Sequence, residues 1–190
     1  SPDKIECVMG VVKAYTTRVG SGPFPTELTD DLSGGDLPRG APGTVIGKHL
    51  QDEGFEYGVT TGRKRRCGWL DIPVVQYGAM INGYGSINMT KLDVLDKLEE
   101  VKIGVAYSIN GEVLKPGQMP STLEDLAAVE VIYESMPGWN TPITEAKTFE
   151  ELPAEAQAYV RRVEQLVGCP VTWIGVGPGR EEMATNGFTV

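Results

Sequence analysis

Imidazole is nearly absent from these 190 residues: His49 is the only histidine, and it lies in a Gly- and Pro-rich stretch where an exposed ring without a role is expected. It is not assigned to catalysis. The three cysteines, Cys7, Cys67 and Cys169, are far apart, odd in number and in no C-x-x-C pair. That argues against both a disulfide framework and a zinc site and leaves three free thiols. No G-x-x-x-x-G-K-[ST] loop occurs, so this chain alone cannot cradle β- and γ-phosphates in the P-loop manner, and a complete small regulatory GTPase is excluded. His, Cys, Asp and Glu nowhere fall at metal-ligand spacing, so any metal would be held partly by a ligand's phosphates. No apolar run approaches the ~20 residues of a membrane span. Ser1-Pro2-Asp3-Lys4 has no apolar stretch of the signal-peptide kind, so a cytoplasmic protein without a targeting segment is expected.

Positive charge is also scarce. Seventeen Lys and Arg face 26 Asp and Glu, and the net charge of −9 opposes nonspecific binding to nucleic acid or a membrane surface, both polyanions. The scarcity is uneven, because Arg63, Lys64, Arg65 and Arg66 are consecutive. A local anion site can therefore coexist with a repulsive global field. The apolar (41%) and charged (23%) fractions are those of an ordinary globular chain, and the length fits one domain.

Twenty-four glycines and 13 prolines predict long, shaped loops between short elements. Val8 to Val19, rich in β-branched residues, reads as one strand ending at Gly20-Ser21-Gly22-Pro23. Asp30 to Gly54 reads as a long irregular connection. Asp71 to Ile81 has the pattern of a short helix stopped by Asn82-Gly83, and Ser86 to Thr90 that of a short strand. Val94 to Glu100 suggests the beginning of another helix. Val101 to Ile109 alternates into an Asn110-Gly111 hairpin signal. Ser121 and Glu124 have capping-box spacing. Pro153 to Val167 is the clearest helix, with Gly168 past its end and an apolar stripe of Ala156, Tyr159, Val160, Val163, Leu166 and Val167. Val171 to Val176 follows as a strand running into Gly175-Val176-Gly177-Pro178-Gly179. Helix, strand, Gly-rich loop in that order indicates an α/β layer arrangement.

Three segments carry the residue types of a binding site. Gly58 to Arg66 combines a permissive backbone, the hydroxyls of Thr60 and Thr61 and a row of cations, which suits a loop that wraps small anions, although a solvated basic turn has the same composition. Thr90-Lys91-Leu92-Asp93 at a strand end has the layout of a guanine-specificity loop. A carboxylate there accepts from N1–H and the 2-amino group of guanine, neither of which adenine offers, while the Lys stem covers the base. An exposed Lys beside a helix-capping Asp fits the same four residues. Gly175-Val176-Gly177 can present backbone N–H groups to an acceptor, or can be a plain turn. Trp69, Trp139 and Trp173 read as core or loop anchors rather than a stacking platform.

In this order, the segments Val12 to Glu27 (VKAYTTRVGSGPFPTE), Val59 to Asp71 (VTTGRKRRCGWLD), Thr90 to Asp96 (TKLDVLD), Tyr133 to Trp139 (YESMPGW) and Gly175 to Pro178 (GVGP) closely resemble adenylosuccinate synthetases. The resemblance runs over nearly the whole chain and covers a little under half of the family's usual length. It implies a mixed α/β fold, the carboxy-terminal part of a P-loop-NTPase-like, mainly parallel sheet with appended loops and helices. In that family GTP phosphorylates the 6-oxygen of IMP, and the amino group of aspartate then displaces phosphate. The resemblance implies that Val59, Thr60, Thr61, Gly62, Arg63 and Arg65 bind aspartate, that Arg63 and the Val19 backbone reach IMP, and that Arg65 reaches the GTP side. Lys91, Leu92 and Asp93 would read guanine, with Gly175, Val176 and Gly177 around its oxygen and the N–H groups of Gly175 and Gly177 as donors. Bacterial relatives carry serine at the position of Gly175, which loses a hydroxyl here but keeps the main-chain donor. Magnesium, as Mg2+, would be bound mainly through GTP phosphates and a part of the family absent from this chain.

The resemblance thus describes residues 1–190 as a carboxy-terminal domain with an aspartate-binding loop (59–66) and guanine-recognition loops (90–93, 175–177), without the family's phosphate loop, catalytic aspartate and histidine. The expected chain is inactive alone and belongs to a homodimeric ligase. The competing expectation is a binding or assembly module that keeps guanine recognition without chemistry. The 59–65 loop is expected to order only when anions offset the entropy of fixing it.

Overall fold

The computed structural model describes residues 4–28 and 42–187. Strand β1 (Met9–Lys13) is followed by β2 (Thr16–Arg18), helix α1 (Pro42–Glu53), β3 (Arg66–Gly68), β4 (Leu70–Asp71), α2 (Ile72–Asn82) and β5 (Ser86–Thr90). Then come β6 (Glu100–Ile109), β7 (Glu112–Val113), α3 (Leu123–Ala127), β8 (Glu130–Pro137), α4 (Ala154–Val167), β9 (Val171–Gly175) and β10 (Met183–Thr185).

The central sheet has the order β1-β5-β9-β10, with the first three strands parallel and β10 antiparallel at one edge. Its inner strands are buried almost throughout, as expected for parallel strands covered on both faces: Ile87, Met89, Val171 and Ile174 have no exposure. Strand β6 organises a second sheet, pairing parallel with β4 and antiparallel with β7 and β8. Strands β2 and β3 form a separate two-stranded ribbon. The fold is mixed α/β with a mainly parallel central sheet, as the sequence implies.

Helix α4 buries Ala156, Tyr159, Val160 and Val163 and packs on β8 and β9. Its predicted stripe is the buried one, with Leu166 and Val167 partly covered. The Tyr159 hydroxyl donates to Ala14 O at 2.6 Å, satisfying the polar tip inside the core. Both α2 and α4 end at a left-handed glycine, Gly83 and Gly168, where the sequence places their stops. Outward, α2 shows Val74, Tyr77, Met80 and Ile81 to solvent.

Several expectations fail for physical reasons. The single strand over Val8 to Val19 is two strands in two sheets, because the chain breaks at Ala14-Tyr15, both buried. Ala14 N still donates to Thr90 O, but the Tyr15 hydroxyl is drawn to Glu56. The irregular connection over Asp30 to Gly54 contains α1, whose Leu50 is fully buried and whose Ile46 packs on the core; residues 29–41 lie outside the described residues. Val94 to Glu100 is not a helix: a single 3-10 turn, Leu92–Leu95, buries Leu92, Val94 and Leu95 together, and Glu100 already pairs with Pro137 in β6. The cap of α3 is Thr122, which accepts from Asp125 N, one residue beyond the expected Ser121–Glu124 pair. His49 is half-buried, and its Nε2 donates to Val94 O at 2.8 Å, tying α1 to the 3-10 turn. Trp69 and Trp139 are buried anchors.

Candidate functional site

The three parallel strands run the same way, so their carboxyl ends meet at one edge. In register, Lys13 of β1 lies opposite Thr90 of β5, and Met89 opposite Ile174 of β9. Lys13, Lys91 and Gly175 therefore share that edge, the place where open α/β sheets receive ligands.

The two glycine- and lysine-bearing loops touch. A Cβ at Gly175 would lie 3.2 Å from Thr90 Cα and 3.4 Å from Lys91 N, so the close approach of β9 to the end of β5 depends on the missing side chain. Lys91 is left-handed (φ 61°) and starts the turn that carries Leu92, which is buried, and Asp93. Asp93 Oδ1 is shielded and has no hydrogen-bond partner among the described residues. Burial raises its pKa above the ordinary carboxylate value. Past β9, the Val176 N–H is already taken by Glu182 O at 2.9 Å, and Gly179 N donates to the Glu182 carboxylate. The backbone of Val176 is thus a brace for the loop.

Residues 58–63 form a tight exposed turn. Gly58 N donates to Arg63 O at 2.8 Å, Gly62 N to Gly58 O at 2.7 Å, and Arg63 N to Thr61 Oγ1 at 3.3 Å. Val59, Thr60, Thr61, Gly62 and Arg63 are all exposed, and Val59 packs on nothing. The cation run divides. Arg63 and Lys64 point outward, whereas Arg65 and Arg66 turn back onto carboxylates. Arg66 grips Glu27 through Nε and Nη2 (2.7 and 2.5 Å) and donates from Nη1 to Gly20 O and Gly22 O, which fixes the loop beginning at exposed Val19.

Arg65 donates from Nη1 to Glu56 Oε2 at 2.9 Å. Glu56 is completely buried, and its Oε1 accepts from Lys13 Nζ and from the Tyr15 hydroxyl, each at 2.7 Å. Lys91 Nζ lies 3.3 Å from the same oxygen and also donates to Gly54 O. Burial pushes the Glu56 carboxyl up, but the bonds from Lys13, Tyr15 and Arg65 outweigh it and hold the group at about 2. Gly54 has no room for a side chain, since a Cβ there would stand 2.2 Å from the Tyr15 hydroxyl. Glu56 with Lys13 and Tyr15 is the part of this edge that sequence reasoning misses. The one available signal is an acid between two aromatics, Phe55-Glu56-Tyr57, directly before the cation run.

Structure therefore brings Lys91, Asp93 and Gly175 together with Arg65, and leaves Arg63, the Thr60–Thr61 pair and Val19 on exposed segments beside them. Cations gathered at the carboxyl edge of a parallel sheet mark this as an α/β protein whose positive charge stands where open sheets of that kind receive ligands. Among the described residues no group of three or more His, Cys, Asp or Glu could hold a metal, so the residues present do not themselves fit a Mg2+ site. No described helix is long and apolar enough to cross a membrane.

Comparison with known proteins narrows this class. Residues 1–184 match the sequence model of the adenylosuccinate synthetase family, and the chain belongs to that family. It is 54% identical over 182 residues to adenylosuccinate synthetase of Paramecium tetraurelia (96% of this chain, 38% of that protein) and 57% identical to that of Monosiga brevicollis (96% and 38%). The fully ligated adenylosuccinate synthetase of Plasmodium falciparum superposes with a TM-score of 0.85 at 43% identity, over 96% of this chain and 40% of that one. The chain thus spans about two fifths of the length of the relatives it matches.

Proposed function

We propose that these residues form the aspartate-, IMP- and guanine-binding part of a GTP-dependent ligase that joins IMP and L-aspartate into adenylosuccinate in purine biosynthesis. The observation that carries this reading is the meeting of Lys13, Arg65, Lys91 and Gly175 at one sheet edge, in a chain of this family.

The residues suit the chemistry. Transfer of the γ-phosphoryl group to the 6-oxygen of IMP leaves GDP and an activated purine. Aspartate's amino nitrogen then forms the new bond at C6 as phosphate leaves. Negative charge from two nucleotides and a dicarboxylate crowds one site, and fixed cations lower the cost of gathering it. Arg63, with Thr60, Thr61 and the turn backbone of Val59 and Gly62, would hold the aspartate carboxylates. Arg63 would also reach the IMP ribose, beside the Val19 backbone. Arg65 would stand between aspartate and GTP. Lys91 would cover the guanine, Leu92 would anchor the turn in the core, and the Asp93 carboxylate would accept from N1–H and the 2-amino group. The backbones of Gly175 and Gly177 would donate to the guanine oxygen, with Val176 as their brace. Mg2+ would be carried by the nucleotide's phosphates and by residues outside this chain, and no step here runs through it. In the whole protein the assembly is a cytoplasmic homodimer, and the 190 residues by themselves bind without turning over.

A coupled assay for adenylosuccinate, run on the 190-residue chain alone and combined with the amino-terminal portion of a relative, tests this. Product only from the combination is expected. Turnover by the chain alone, or none from a folded combination, would overturn the reading.

A further inference from the structure

The Glu56 cluster has a charge pattern that packing alone does not require. One buried carboxylate meets three cations, Lys13, Arg65 and Lys91, so the cluster keeps an excess of two positive charges. The carboxylate has no exposure, whereas the three cationic side chains are 27%, 33% and 36% exposed. Each cation therefore turns one side to the anchor and one to solvent at the sheet edge. A buried charge must be paired and hydrogen-bonded to persist, and Glu56 has donors on both oxygens. The partners come from three separate parts of the chain: the end of β1, the segment after the 58–63 turn, and the residue that opens the 3-10 turn after β5. Among the described residues, the Glu56 carboxylate is the group that Arg65 and Lys91 share, Arg65 on Oε2 and Lys91 beside Oε1. Arg63 takes no part: it is exposed, and the bonds that hold it in the turn are made by its main chain, to Gly58 N and Thr61 Oγ1.

Building on the proposed function, we infer that Glu56 is a positioning residue that locks the aspartate-side Arg65 and the guanine-side Lys91 into one unit. It touches no substrate. Its carboxylate sets the rotamers of both cations before ligands arrive, so the two substrate sites share one support while the IMP contacts of Arg63 and Val19 lie outside it. Preorganised cations need no ordering when the anion binds, and loss of that preorganisation is felt at both sites together. The Tyr15 hydroxyl, admitted by the bare Gly54 backbone, holds the carboxylate from the side opposite Arg65 and keeps Oε1 aimed at the lysines.

The test is Glu56→Gln in the combined ligase of the preceding section, with KM measured separately for GTP, aspartate and IMP. The amide keeps the shape and removes the charge that holds the cations. KM for both GTP and aspartate should rise tenfold or more while KM for IMP stays within twofold. Glu56→Asp, which keeps the charge on a shorter stem, should recover part of both losses. A uniform fall in kcat with all three KM values unchanged, or a rise confined to one substrate, would overturn the inference while leaving the ligase reading intact. An unmodified combined protein that makes no adenylosuccinate overturns both. If Glu56→Gln does not fold, Tyr15→Phe serves instead. It removes one neutral donor and should raise KM for GTP and aspartate together by two- to fivefold, and unchanged values would sink the idea.

Discussion

Carboxylates withdrawn wholly or partly from solvent stand in two settings among the described residues, and they behave in opposite ways. Glu56, at the sheet's carboxyl edge, is surrounded by cations and held at about 2. Asp71, at the junction of β4 and α2, and Asp96, behind the 3-10 turn, are pushed up to about 6, chiefly by burial. Their partners are neutral: Asp71 accepts from the Tyr107 hydroxyl at 2.6 Å, and Asp96 from Trp139 Nε1 at 2.7 Å and Ile143 N at 3.1 Å. Hydrogen bonds from neutral donors do not overcome desolvation here, whereas fixed cations do. The comparison separates an acid that organises charge from acids that staple the fold.

The largest break in that comparison is Glu56→Leu. It leaves three cations around an apolar side chain and should cost about 3–5 kcal/mol, read as a lower denaturation midpoint at pH 7. Next is pH. Glu56 has a folded pKa below its ordinary 4.5, so its contribution is complete above that value and is lost as pH falls toward about 2. Asp71 and Asp96 have folded values above their ordinary 3.8, so what they contribute is complete below that value and is lost as pH rises through about 6. Asp71→Asn should therefore raise the melting temperature at pH 8 and do so less at pH 5, an effect of up to ~2 kcal/mol. Asp96→Asn should be destabilising by ~1–2 kcal/mol, because both its oxygens accept and an amide supplies only one acceptor. Equal melting shifts for the two variants would show that the number of accepting oxygens, one on Asp71 and two on Asp96, does not set the outcome. Smallest in stability is Arg63→Ala, within ~0.5 kcal/mol on an exposed turn. The same change should weaken aspartate and IMP binding tenfold or more in the combined ligase if the proposed contacts are made.

Elements fixed by local signals were legible. Helices α2 and α4, strands β5 and β9 and the β6–β7 hairpin fall within one or two residues of their expected bounds, because glycine stops, a two-residue Asn-Gly turn and short apolar runs are written in neighbouring residues. Helix α1 was not, since Gly43 and Gly47 interrupt an apolar spacing whose meaning comes from the packing of Ile46 and Leu50. Strands β8 and β10 were not expected either; each is specified by its partner, β6 or β9, from across the chain. At the site, the cation run, the Thr90–Asp93 segment and the glycines after β9 stood out by composition. Glu56 did not, because its meaning comes from Lys13 and Tyr15, more than forty residues earlier. The fate of Arg65 and Arg66, turned inward beside outward Arg63 and Lys64, is likewise a matter of which acids fold against them.

The parallel pairing of β1, β5 and β9 also bears on how the molecule reaches its native state. Helices and the tight hairpin close short loops, but joining Lys13 to Thr90 and Met89 to Ile174 requires segments some eighty residues apart to meet. Contacts of such long separation form slowly and late. A chain ending short of β9 would contain every helix named here but not Gly175, and so no complete site at that edge. Ligand recognition at that edge would then report that all three long-range strands are paired.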